Sequence, residues 1–130
     1  MLSILSFFRL YWRGILVGLA IIYLSLAPPS GFEKIPIPVV KGMDKAVHIL
    51  MYLGLTIACV LDVRFSRKPL SDRIRVIYCV FFPLLLGGIL EIVQWKFTTY
   101  RIGSWFDMLA NVSGIAAGYF LMKLLMYKRK

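Results

Sequence analysis

Four apolar runs separated by short polar stretches divide the chain from end to end. The first extends from about Leu10 to Ala27, with GILVGLAIIYLSLA at its centre, and stops at Pro28 and Pro29, which cannot continue a helix. The others run from about Met43 to Leu61, from Ile74 to Trp95 and from Trp105 to Tyr127. A hydrocarbon core about 30 Å thick is crossed by about 20 helical residues, so each run has the length of a membrane span. The pattern predicts an all-α integral membrane four-helix bundle, with residues 1–130 forming a single transmembrane domain. Arg9 and Arg13 before the first run, with Ser25, Ala27 and Ser30 near its end, also resemble a secretory signal. The run is long and three more follow, so an uncleaved anchor is expected.

Composition agrees with that reading. The 130 residues are 60% hydrophobic and only 17% charged, which excludes an ordinary soluble domain. A net charge of +10 would suggest nucleic acid if it formed a basic face on a soluble fold. Here the basic residues sit in short runs between apolar segments, so no nucleic-acid partner is expected. Arg9, Arg13, Arg64, Arg67, Lys68, Arg73, Arg75, Lys123, Lys128, Arg129 and Lys130 fall on one side of the predicted topology. Lys34, Lys41, Lys45, Lys96 and Arg101 fall on the other. Basic residues are retained in the cytoplasm, which predicts an N-in, C-in chain with membrane lipids as its partners.

Cys59 and Cys79 lie inside spans and read as small buried apolar residues, not as a disulfide framework. Gly14 with Gly18, and Gly114 with Gly118, have the spacing that lets helix backbones approach closely inside a bundle. Pro83, followed by Gly87 and Gly88, predicts a bend in the third span and a carbonyl that must find another partner.

Ionisable side chains in hydrocarbon are costly and seldom face lipid, so their positions carry the functional information. Asp44, His48 and Tyr52 are spaced i, i+4, i+8 on the second helix, with Lys45 beside them. Glu91 and Gln94 stand together near the end of the third, and Asp107 and Asn111 open the fourth. At about 1.5 Å per residue, His48, Glu91 and Asn111 lie about one turn inside their helix ends, so three helices present polar groups to one outer layer. Arg101 lies in the short loop KFTTYRIGSW, where its planar fork suits Glu91, Asp107 or an incoming phosphate or carboxylate. Trp95, Tyr100 and Trp105 read as interfacial anchors.

The D-K-x-x-H of Asp44, Lys45 and His48 followed by Tyr52, the E-x-x-Q of Glu91 and Gln94, Arg101, and D-x-x-x-N-x-x-G at Asp107, Asn111 and Gly114 resemble the VanZ-like family. These are small bacterial membrane proteins, and the resemblance spans nearly the whole chain. The family takes its name from a member associated with low-level resistance to teicoplanin, a lipoglycopeptide antibiotic. The resemblance therefore implies the bacterial cytoplasmic membrane and a cell-envelope role, without a particular reaction.

Three uses of the polar layer follow from its residues. It can be a structural network, with Arg101 paired to Glu91 or Asp107 and His48 to Asp44. It can bind a polar or anionic headgroup of a lipid, a lipid-linked wall precursor or a lipoglycopeptide, through Asp44, Lys45, Tyr52, Gln94, Arg101, Asp107 and Asn111. It can also be the site of a membrane enzyme in which His48 or Glu91 moves a proton, with Ser104 and Tyr52 as nucleophile candidates by proximity alone. Headgroup binding is the expected role. No cofactor and no metal is expected, because the spacing of Asp44, His48, Glu91 and Asp107 matches no established metal motif.

Overall fold

The computed structural model describes residues 3–27, 43–67, 69–97 and 105–127. Four helices and no strand are found among them: α1 (Ile4–Leu26), α2 (Met43–Arg64), α3 (Asp72–Phe97) and α4 (Trp105–Tyr127). All four are long and apolar enough to cross a membrane.

The helices extend beyond the apolar runs that announced them, because local caps keep the backbone satisfied past the oily stretch. α1 begins at Ile4 and not near Leu10, since the Ser3 hydroxyl accepts the Ser6 N–H at 3.2 Å. Its backbone is irregular at Tyr11 (φ −110°, ψ 16°), close to where the apolar run starts. α2 continues past Leu61 to Arg64. α3 opens at Asp72, two residues before Ile74, behind a Ser71 cap that accepts the Ile74 N–H at 3.4 Å.

The bend expected at Pro83 takes the form of a π-helical segment, Ile77–Phe81, immediately before it. Proline has no N–H for the carbonyl of Cys79, and its ring crowds that carbonyl. A wider turn just ahead relieves both, and the Phe82 N–H reaches back to the Ile77 carbonyl.

Surface and interior are arranged as hydrocarbon requires. Leu50, Leu85, Phe97, Trp105 and Phe120 are exposed, whereas His48, Thr56, Asp62, Gln94, Asp107 and Asn111 are buried. Water would penalise so broad an apolar surface, and lipid would penalise the polar groups if they were outside. Tyr52, Leu55, Cys59, Cys79, Leu90 and Ile115 form part of the apolar core. Cys59 and Cys79 are both free.

The most extensive contact is between α2 and α4. A methyl group at Gly114 would collide with the Ile49 carbonyl, and one at Gly118 would stand 3.1 Å from the Leu53 carbonyl oxygen. Between helices in lipid there is no hydrophobic gain from association, so this backbone approach, and the dispersion it allows, holds the pair. The small-residue spacing thus serves packing within the bundle.

At the opposite end of α2 from Lys45, a buried carboxylate fastens α1. Asp62 is 1% exposed and accepts the Gly14 N–H at 2.8 Å, the Arg13 N–H at 3.3 Å and the Tyr78 hydroxyl at 2.8 Å. The Arg13 guanidinium is 3.4 Å away. The irregular Tyr11 creates a new helix start, and Asp62 takes up the first amides of that turn as an N-cap would, from another helix.

Replacing Gly114 with alanine is expected to lower stability by about 1–3 kcal/mol, read from unfolding in detergent. Gly54→Ala is the control: an added methyl meets nothing within 4 Å there, and stability should hold or rise by up to about 1 kcal/mol.

Candidate functional site

The N-terminal turns of α2 and α4 and the C-terminal turns of α3 meet at one end of the bundle. Their register follows from the glycine contact: with Gly114 against Ile49, Asn111 one turn earlier lies beside His48. His48 Nδ1 and Asn111 Oδ1 are 2.9 Å apart. Glu91 Oε1 approaches the same ring nitrogen at 4.0 Å from α3. Lys45 Nζ donates to Asp107 Oδ1 at 2.6 Å and to Asp44 Oδ2 at 2.8 Å, closing α2 onto α4.

Beneath these groups Tyr52 is buried, and its ring and the Asn111 amide face Gly87. A methyl at Gly87 would stand 3.1 Å from Asn111 Nδ2 and 3.2 Å from Tyr52 Cε1. The missing side chain therefore lets α3 close over the pair. Gln94 Nε2 donates to the Ser25 carbonyl at 2.8 Å, tying the end of α3 to the end of α1.

Of the residues singled out in the sequence, His48, Glu91, Asp107 and Asn111 come together directly, Lys45 joins them through Asp107, and Tyr52 lies below. Gln94 turns toward α1. One expected pairing differs. His48 meets Asn111 in place of Asp44, because the i, i+4 stripe winds away from the interior at the helix start and leaves the Asp44 side chain 63% exposed. Lys45 bridges two carboxylates, Asp44 beside it and Asp107, which enters from α4 within its span. Arg101, and with it the expected Arg101 pairing and the Ser104 candidate, lies outside the described residues.

Asp62 and Ser25 take part in the polar interior without having been singled out. The signal for Asp62 was available: it continues the inward stripe of His48, Tyr52, Leu55 and Cys59 down the length of α2. For the Ser25 carbonyl no side-chain pattern exists to read.

Chemically, the layer offers one ammonium already held by two carboxylates, an imidazole beside an amide and a carboxylate, and a buried phenol. His48, Glu91 and Asp107 each contribute a ligand atom within 4.8 Å of the other two. The arrangement can receive a hydrogen-bonding headgroup, pass a proton between His48 and Glu91, or hold a cation.

A family model described as VanZ/LLP1 matches residues 5–126. No curated protein and no solved structure matches the chain.

The bridge between α2 and α4 is testable by a double-mutant cycle on Lys45→Met and Asp107→Asn. A coupling energy of about 1–3 kcal/mol in detergent unfolding is expected, larger than for an exposed pair because Asp107 is buried. Additive losses would remove the bridge from the account of how these helices meet.

Proposed function

The chain belongs to the VanZ-like family, and from that premise we propose that it is a cell-envelope protein of the bacterial cytoplasmic membrane that recognises a polar headgroup at the outer face. Through that recognition it contributes to glycopeptide or lipoglycopeptide resistance of the teicoplanin type. Its ligand is a lipid, a lipid-linked wall precursor or the lipoglycopeptide itself, and it presents a phosphate, carboxylate or hydroxyl cluster. The observation that carries this reading is the convergence of His48, Glu91, Asp107 and Asn111 from three apolar helices at one end of the bundle. Lys45, with its side chain 38% exposed, stands over them within reach of the membrane surface. Arg101 is the cation assigned to the headgroup, on the strength of its place in the sequence between α3 and α4.

An apolar groove of about 220 Å³, open on one side, supports the lipid character of the ligand. It lies between α3 and α4, lined by Val80, Leu84, Val112, Ile115, Ala116 and Tyr119. Leu84 is two helical turns from Glu91 and Ile115 one turn from Asn111, so a chain seated there continues from a headgroup in the layer.

The 4.0 Å approach of Glu91 to His48 favours a second reading, in which the same site transfers a proton during turnover of a lipid-linked substrate. The two differ in product: an altered lipid or wall precursor that depends on His48 and Glu91 identifies the enzyme.

The N-in, C-in topology is part of this proposal and rests on the distribution of basic residues. Green fluorescent protein fused after Lys130 should fluoresce, and a cysteine placed at Thr98 should react with a membrane-impermeant thiol reagent from outside. The reverse pattern would put the polar layer on the cytoplasmic face. Native mass spectrometry in gentle detergent tests the ligand. Wild type should retain a lipid-sized adduct that a folded Arg101→Ala variant loses, and equal spectra for the two proteins would leave the layer a structural network.

A further inference from the structure

We propose that His48, Glu91 and Asp107 bind one divalent transition-metal ion of the zinc type, for which Lys45 holds the place when the ion is absent. The inference rests on the headgroup reading for its role, since the ion would supply the positive charge that faces the ligand.

The geometry starts from three helices. His48 comes from α2, Glu91 from α3 and Asp107 from α4, and one ligand atom of each lies within 4.8 Å of the others. Zinc bonds of about 2.0–2.2 Å place ligand atoms within about 4 Å of one another. Closing the set therefore needs the ligand atoms to approach by about an ångström.

Asp44, which the sequence grouped with these residues, is turned away, and its loss changes the chemistry. Without Asp44 the donors are one imidazole and two carboxylates, a set that suits zinc or a neighbouring transition metal better than magnesium or calcium. Spacing along the chain matched no metal motif because the ligands are brought together by helix packing and do not share one helix. Three protein ligands leave positions open on the ion, as in sites that accept an outside ligand.

Lys45 supplies an independent argument. Its ammonium is 2.6 Å from Asp107 and 2.8 Å from Asp44, so its charge is already taken by two carboxylates and is poorly placed to receive an anionic headgroup. An ion between Glu91, His48 and Asp107 would release Lys45 to the exposed Asp44. Ammonium and metal thus compete for Asp107, and the competition gives the site a distinctive response to mutation.

The test uses the full chain in detergent, stripped with a chelator and then dialysed against Zn2+, with bound metal measured by elemental mass spectrometry and melting followed in parallel. One zinc per chain should bind and raise the melting temperature, whereas Mg2+ should do neither. His48→Ala, Glu91→Gln and Asp107→Asn should each weaken binding at least tenfold. Lys45→Met should strengthen it by about tenfold, a gain that misfolding cannot produce. Absence of stoichiometric zinc in wild type, or a Lys45→Met variant that binds no more tightly, overturns the inference. Zinc bound without retention of any lipid would instead overturn the headgroup reading, and a retained lipid on a protein that binds no zinc would overturn this one alone.

Discussion

Because Gly114 and Gly118 carry no side chain, the backbone of α4 lies directly against that of α2, with Gly114 facing the Ile49 carbonyl. In lipid, helices gain nothing by hiding apolar surface from one another, so close contact of this kind is what selects a register. That register has a chemical result. His48 precedes Ile49 and Asn111 lies one turn ahead of Gly114, so the contact that packs the helices also joins imidazole to amide and Lys45 to Asp107. Any shift of α4 by a residue would rotate Asn111 and Asp107 out toward acyl chains that cannot solvate them.

The same inward pressure on polar groups acts at both ends of α2, with different outcomes. At one end the groups come from side chains of three helices and leave acidic and basic atoms within reach of the membrane surface. At the other, Asp62 is consumed by backbone amides of α1 and by the Tyr78 hydroxyl. A carboxylate that satisfies the first amides of an interrupted helix is a fastening, since its oxygens are spent on the fold. The contrast is between a carboxylate consumed largely by backbone amides and a cluster in which side chains of three helices meet one another.

Much of this was legible along the chain, and the failures have physical causes. Hydropathy and the two prolines after Ala27 located four spans, and the i, i+4 stripe of His48 and Tyr52 pointed inward as it does in the fold. Helix ends were misplaced because caps such as Ser3 and Ser71, and not hydropathy, decide where hydrogen bonding stops. Partners across helices were harder: His48 was matched with Asp44 on its own helix, while Asn111 reaches it from sixty-three positions away. Asp62 was not singled out, although its place on the inward stripe of α2 argued for it. The irregular Tyr11, which gives Asp62 its partners, has no signature in residue type.

The π segment before Pro83 has an effect beyond relieving the proline. A turn that holds one additional residue rotates everything after it by about 100° relative to an uninterrupted helix. Tyr78, inside the segment, looks toward α1 and Asp62, while Glu91, beyond it, looks toward α2 and α4. A single straight helix would present both residues at a different relative phase, and one of the two clusters would lose its contributor from α3. The wide turn works as a phase adjuster, allowing one span to serve two neighbours at two depths of the membrane.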